Sequence, residues 1–199
     1  MEITAQQVKA LREETGAGVL DCRKALQQTG GDHAKAVALL REKGLAVAAK
    51  KEGREAREGA VELYSHGGGR VGVMVEVNCE TDFVARTEQF RTLAHDLALH
   101  VAANAPRFID AESIPAAVLA DERAKARAQG QAEGKPENIV ERIVEGRLAK
   151  FTQESCLMLQ PFVKEETLTV GDLLKQTIAA LGENVVIRRF ARWELGEDL

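Results

Sequence analysis

The spacing of hydrophobic residues changes near Gly59, and this change constrains the fold more than any other feature of the sequence. Before Gly59, apolar residues recur every three or four positions, as they do along one face of a helix. After it, the valines of residues 71–77 alternate with small or polar residues, which is the period of a half-buried strand. The chain therefore combines a helical N-terminal part with a region that contains a sheet, and we expect an α+β fold.

Three short helices are predicted in the N-terminal part. Thr4 and Gln7 form a capping-box pattern, and the helix that follows is broken by a glycine-rich turn. A second helix is expected over Val19–Gln28, and Asp32 caps a third that ends near Gly44. A bundle of this size has a marginal core unless a partner or a neighbouring domain supports it.

The sequence divides into three parts: a helical domain at 1–51, a connector at 52–58 and an α+β core at 59–199. Residues 45–58 are rich in alanine and charge, which favours a helical or semi-rigid connector. We therefore expect that the N-terminal domain can reorient relative to the core.

The core is predicted to begin with a β-hairpin that turns at residues 67–69 (GGG). Thr87 then caps a helix whose apolar residues share one face, so this helix should cover one face of the sheet. Pro115 opens another helix that runs to about Arg127, and Pro136 opens a third after an intervening turn.

A further helix and a strand are predicted near the C-terminus. The helix starts at Val170, and residues 184–193 alternate as a terminal strand. The predicted architecture is thus an antiparallel sheet packed with helices, preceded by a small helical domain.

Several classes of protein are disfavoured by composition. The sequence has no apolar run of the roughly 18 residues that a membrane span requires, and its N-terminus lacks a signal or transit pattern. We expect a cytoplasmic protein that does not bind membranes. The three cysteines are far apart and form no CxxC pair, which argues against structural zinc and against a disulfide framework.

Direct binding of nucleic acid is not expected either. The first 51 residues hold nine Lys or Arg against six Asp or Glu, an excess too small for a basic patch. Six Phe, one Tyr and one Trp also provide few platforms for base stacking.

No enzymatic motif is present. The sequence contains no GxxxxGK[ST] or GxSxG pattern. GGGRVG at residues 67–72 has the GxGxxG spacing, but it is best explained as the turn of the predicted hairpin, since a strand and not a helix follows it. His95 and His100 diverge on a helix because they are five residues apart. We therefore expect no metal site and no cofactor. Cys79 and one of the histidines could form the nucleophile of a hydrolase or transferase, but a buried structural cysteine is the favoured interpretation.

The most informative segment is EVNCETDFVAR, residues 76–86, where the strand pattern stops. Phe83 stands there between Asp82 and Val84. In one interpretation Phe83 folds back into the core from a helical turn. In the other it is an exposed aromatic anchor beside a carboxylate, the composition of an interface hot spot. The residue pattern leaves both open.

Two stretches resemble the signature motifs of bacterial elongation factor Ts: LREETGAGVLDCRKAL (residues 11–26) and EVNCETDFVAR. They occur in the expected order, and the resemblance runs from about Glu2 to Gly196. It includes GRLAKFTQES, QPFV at 160–163 and the RRF sequence at 188–190. At 199 residues the chain resembles the short form of this family, because longer members duplicate the core subdomain and insert a helical hairpin.

The resemblance implies a guanine-nucleotide exchange factor that performs no covalent chemistry and binds the GDP form of elongation factor Tu. One segment would enter the GTPase domain of Tu and disturb its magnesium and phosphate site. That segment is Thr81, Asp82, Phe83 and Val84.

The family also implies a role for the helical domain. It would be a three-helix, ubiquitin-associated-like domain that docks on another helix of Tu. The residues that match its contact region are Arg12, Val19 and Leu20. A competing hypothesis is a tethering adaptor, which predicts that residues 1–51 alone reproduce function.

The short form implies a homodimer. One copy of the core leaves its sheet incomplete, so we expect the terminal strand at 184–193, with Val185, Ile187 and Phe190, to pair across two copies.

Overall fold

The computed structural model describes residues 3–197, which form eight α-helices and five β-strands. The helices are α1 (Ala5–Thr15), α2 (Val19–Gln28), α3 (His33–Lys51), α4 (Asp82–Ala85), α5 (Glu88–Asn104), α6 (Ala116–Ala132), α7 (Glu137–Ser155) and α8 (Val170–Leu181). The strands are β1 (Glu58–His66), β2 (Val71–Cys79), β3 (Pro161–Phe162), β4 (Glu165–Thr169) and β5 (Val185–Glu194). The predicted α+β class is confirmed.

Two compact units make up the described chain. The first contains the described residues up to Ala102 and those from Asp172 onward, and the second is Ala103–Gly171. The first unit holds both segments that the sequence singled out for partner binding.

Within the first unit, α1, α2 and α3 enclose a small hydrophobic cluster. Its buried members are Val8, Leu11, Cys22, Ala25, Leu26, Ala36, Val37 and Leu40. The predicted capping box is confirmed, because the Gln7 amide donates to Thr4 Oγ1 at 3.2 Å and the Thr4 amide donates to Gln7 Oε1 at 2.9 Å. The helix that Asp32 caps is longer than predicted.

The predicted end of α3 near Gly44 is wrong. The helix continues through the alanine-rich residues 45–51, because one glycine lowers helix propensity by only about 1 kcal/mol and does not break a helix. The helix ends at Lys51, and Gly53 follows it with a left-handed φ of 78°. Only residues 52–57 separate α3 from β1.

The sheet of the first unit has the order β1-β2-β5 with antiparallel pairing throughout. Val73, Val75 and Val77 point to its buried face, as their alternation predicts. Helix α5 lies against β1, since His95 Nδ1 is 3.1 Å from Glu62 Oε1. The predicted cap of α5 is also confirmed, because the Phe90 amide donates to Thr87 Oγ1 at 3.3 Å.

The second unit contains the antiparallel pair α6 and α7. The two helices approach closely at Gly130, where an added Cβ would lie 3.2 Å from Val140 Cγ2. The turn predicted after about Arg127 begins only after Ala132, because Gly130 lowers helix propensity by only about 1 kcal/mol and does not end the helix. The short hairpin of β3 and β4 was not predicted.

Gly59 holds the tightest backbone position of the sheet. Its φ is 143°, and a Cβ added there would lie 2.1 Å from the carbonyl oxygen of Val77 on the paired strand. Any side chain would therefore both strain the backbone and clash with β2.

We expect Gly59→Ala to lower the free energy of unfolding by about 2–4 kcal/mol, because strain and the clash add. Gly72→Ala in β2 is the matched control, since an added Cβ there meets no atom within 4 Å. Its effect should stay below about 1 kcal/mol. Urea unfolding of both variants measures the difference, and equal losses would contradict this description of Gly59.

Candidate functional site

The segment singled out by sequence lies where β2 ends and the chain turns into α4. Thr81 is the N-cap of this short helix: its Oγ1 accepts a hydrogen bond from the Val84 amide at 3.4 Å. Its carbonyl oxygen accepts one from the Ala85 amide at 3.2 Å. The capping threonine therefore starts one helical turn directly after the strand ends. Asp82 in the first turn also stabilises the start of this helix.

Phe83 points into solvent from this turn, with 80% of its surface exposed. Ala85 is the buried residue of the turn, and Val84 is half-buried. The hypothesis that Phe83 folds back into the core is wrong, although the helical turn it assumed is present. An exposed phenylalanine of this kind on a helical mount has the character of an interface anchor.

Asp82 is paired within its own turn. Its Oδ2 accepts a hydrogen bond from Arg86 Nη2 at 2.8 Å, and both side chains are substantially exposed. Exposed pairs of this kind contribute about 0–1 kcal/mol, so the carboxylate can exchange Arg86 for another partner at little cost.

A carboxylate from a distant part of the chain holds the base of α4. Glu183 Oε1 accepts a hydrogen bond from Thr81 Oγ1 at 2.7 Å, and Glu183 Oε2 accepts one from the Thr81 amide at 3.0 Å. Sequence reasoning missed Glu183 because 102 positions separate it from Thr81. The two residues meet because β5 pairs with β2, which sets Val185 at the start of β5 opposite Cys79 at the end of β2.

The three predicted docking residues of the helical domain are all exposed. Arg12 lies in the last turn of α1, while Val19 and Leu20 begin α2 and are 50% and 70% exposed. Gly16 shapes the turn between them with a φ of 66°, and its amide donates to the Arg12 carbonyl at 2.8 Å. Two adjacent exposed aliphatic side chains form a small apolar patch on a stable turn.

The turn between Arg12 and Val19 lies close to α5, the helix that follows α4 in the chain. An added Cβ at Gly16 would be 3.5 Å from Nε2 of Gln89, a residue in the first turn of α5. Gln89 follows Phe83 by only six residues.

Cys79 is buried beneath this segment. Its Sγ donates to the Thr81 carbonyl at 3.2 Å, and burial together with the nearby Glu183 carboxylate raises the pKa of the thiol. A buried thiol with a raised pKa is a poor nucleophile, and the expected burial of Cys79 is confirmed.

Residues 3–197 contain no group of three or more His, Cys, Asp or Glu side chains that could hold a metal ion. None of the helices in this range is long and apolar enough to cross a membrane.

Comparison with known proteins identifies the family. The family model for elongation factor Ts matches residues 25–197, which is most of the chain and includes the segment around Phe83. The chain belongs to the elongation factor Ts family. The match begins after Arg12, Val19 and Leu20, so it covers the Phe83 segment but not the docking residues of the helical domain.

Full-length relatives extend this assignment to the N-terminal domain. Elongation factor Ts of Carboxydothermus hydrogenoformans is 57% identical over 197 residues, which cover 99% of this chain and 91% of the relative. The protein of the same name from Moorella thermoacetica is also 57% identical, with 99% and 97% covered. That of Coprothermobacter proteolyticus is 52% identical, with 99% and 100% covered.

We expect all three cysteines of this elongation factor Ts family member to resist alkylation in the folded state. Cys22, Cys79 and Cys156 are free and buried, and burial raises the pKa of each thiol. Iodoacetamide at pH 8 should modify none of them within minutes, whereas denatured protein should take three equivalents by mass spectrometry. Rapid modification of native Cys79 would instead support the hypothesis of a cysteine nucleophile.

Proposed function

We propose that this protein is a guanine-nucleotide exchange factor for elongation factor Tu and acts on its GDP form during translation elongation. The observation that carries the proposal is the exposure of Phe83. This aromatic side chain lies on α4, the helical turn whose base Glu183 holds, and within the residues that match the family model. Membership of the elongation factor Ts family supports elongation factor Tu as the partner. A factor with this role works beside ribosomes, in keeping with the cytoplasmic location expected from the sequence.

The role requires binding energy and no covalent chemistry. GDP leaves a GTPase slowly because charge-assisted contacts to phosphate, lysine and Mg²⁺ must be lost together. A factor that binds a conformation in which these contacts are weakened accelerates release. By linkage, nucleotide in turn weakens the binding of the factor.

In this proposal Thr81, Asp82, Phe83 and Val84 enter the GTPase domain of Tu near the magnesium and phosphate site. Burial of one phenylalanine contributes roughly 1.5–3 kcal/mol. Since about 1.4 kcal/mol corresponds to a tenfold rate change, Phe83 can account for about a ten- to hundredfold acceleration. Phe83 is therefore a substantial but partial contributor.

Asp82 adds an electrostatic component to the proposed mechanism. Because its exposed pairing with Arg86 is weak, its carboxylate can face the magnesium site once Arg86 turns away. A carboxylate near Mg²⁺ offers the cation an alternative oxygen ligand and disfavours the nearby phosphates.

The helical domain supplies the remaining affinity through Arg12, Val19 and Leu20. Its exposed aliphatic pair suits the apolar face of a helix of Tu, and Arg12 can pair with a carboxylate at the rim. The closeness of the α1–α2 turn to Gln89 allows both surfaces to engage one partner.

Replacing Phe83 with alanine should lower the rate of GDP release from Tu at saturating factor by about ten- to a hundredfold, because the anchor is lost. Stopped-flow measurement of fluorescent GDP provides this rate. The stability of the free variant should change by less than about 0.5 kcal/mol, since Phe83 is exposed.

Leu195→Ala is the control for Phe83→Ala, because it truncates another large side chain that is 68% exposed, outside the proposed contact surfaces. It should leave the rate unchanged. An unaltered rate in Phe83→Ala would remove the assigned role of Phe83 and favour the tethering adaptor, which binds through the helical domain alone.

We also propose that the protein is a homodimer formed through β5. This strand lies at one edge of the sheet in the described chain, and its Trp193 is 57% exposed. On the same sheet face, Met74 of β2 and Leu63 of β1 are 41% and 68% exposed. An open edge beside exposed apolar side chains is a surface that a second copy can cover.

Light scattering should give a mass twice the 21.6 kDa of one chain at micromolar concentration. Trp193→Lys should shift the population toward monomer, because it places a charge in the apolar surface. Glu145→Lys, an exposed change on α7, is the control and should leave the mass unchanged. A wild-type mass of one chain at all concentrations would exclude the dimer.

A further inference from the structure

The paired hydrogen bonds between Glu183 and Thr81 are the feature of the site that family membership does not explain. Both carboxylate oxygens of Glu183 are used, one for the Thr81 hydroxyl at 2.7 Å and one for the Thr81 amide at 3.0 Å. The carboxylate comes from the turn between α8 and β5. Two hydrogen bonds from one carboxylate fix both the position and the orientation of the residue that donates them.

Thr81 is the residue from which the direction of α4 is set. Its Oγ1 and its carbonyl oxygen accept the amides of Val84 and Ala85, the first hydrogen bonds of the turn. Because α4 has only four residues, it contains too few internal hydrogen bonds to be stable alone. The direction in which Phe83 points therefore depends on how Thr81 is held.

The turn that carries Glu183 is itself fixed by the next residue. The Asn184 amide donates to Glu80 Oε1 at 2.7 Å, and Asn184 Nδ2 donates to the Arg54 carbonyl at 2.8 Å. Arg54 Nη1 lies 3.6 Å from Glu80 Oε2 and closes the network. Asn184 is buried, so its two hydrogen bonds are partly shielded from water and help to hold Glu183 in place.

We infer that Glu183 is a positioning residue for nucleotide exchange: it clamps Thr81 so that α4 presents Phe83 to the partner in one orientation. The inference rests on the proposed function for its consequence in exchange, but the clamp itself is a property of the free protein. Glu183 acts through Thr81, and no contact of Glu183 with Tu is required.

Two substitutions at position 183 separate geometry from charge. Glu183→Ala removes both acceptors. Glu183→Gln keeps the clamp, because its Oε1 can accept from the Thr81 amide while its Nε2 donates to Thr81 Oγ1. Glu145→Ala removes an exposed carboxylate on α7 and serves as the matched control.

Hydrogen exchange of the free protein tests the clamp without Tu. In Glu183→Ala, which loses both hydrogen bonds to Thr81, the amides of Ala85, Arg86 and Thr87 should exchange at least about tenfold faster, since the loss of one charge-assisted hydrogen bond alone has this effect. The exchange rates of amides on the buried face of α5 should be unchanged. Glu183→Gln should stay within about twofold of wild type.

Stopped-flow release of fluorescent GDP from Tu tests the consequence. Glu183→Ala should lower the maximal rate about tenfold, while the concentration of factor that gives half the maximal rate should stay within about twofold. This separation is expected because the docking surface of the helical domain is intact. Glu183→Gln should restore the maximal rate, and Glu145→Ala should match wild type.

The inference is overturned if Glu183→Ala leaves exchange of residues 85–87 unchanged or accelerates all amides equally. It is also overturned if Glu183→Gln behaves like Glu183→Ala, because the geometry of the clamp would then not be what matters. A third contrary result is a Glu183→Ala variant in which only the half-saturating concentration of factor changes, since Glu183 would then contact the partner directly. Phe83→Ala is run in parallel. If wild type does not accelerate GDP release from Tu, the proposed function fails. If Phe83→Ala accelerates it as much as wild type does, the assigned role of Phe83 fails. In both cases the hydrogen-exchange result still decides whether the clamp exists.

Discussion

The grip of Glu183 on Thr81 is the interaction on which the proposed site depends. It joins the end of β2 to the beginning of β5, two strand termini that the antiparallel register places side by side. A helical turn of four residues has little stability of its own, so an exposed phenylalanine on it would otherwise sample many directions. The clamp converts a marginal turn into a rigid mount, which lowers the entropic cost of binding.

The proposed mechanism divides the work between two surfaces of the first unit. Arg12, Val19 and Leu20 lie on the helical domain, and Phe83 lies on α4. Gly16, in the turn between Arg12 and Val19, lies close to Gln89 of α5, the helix that follows α4. A single anchor supplies too little energy to hold a partner and to release its nucleotide as well. A second surface therefore provides the affinity, and Phe83 can act on the nucleotide site.

Much of this arrangement could be predicted from the sequence, because its signals are local. Thr4, Asp32 and Thr87 mark helix starts, and the alternating valines of residues 71–77 mark a strand. The exposure of Phe83 could not be predicted, because it depends on Ala85 being the residue of the turn that packs inward. Glu183 was missed since no local pattern relates it to Thr81, and the two-residue strand β3 is too short to show alternation.

The most direct test of the central claim is a photo-cross-link from position 83. Phe83 is replaced with benzoylphenylalanine, the complex with Tu and GDP is irradiated, and the linked peptides are identified by mass spectrometry. If Phe83 enters the GTPase domain, the cross-links will lie in the nucleotide-binding domain of Tu, next to its magnesium and phosphate site. Cross-links confined to other domains of Tu, or to a second copy of this chain, while the complex forms normally, would contradict it.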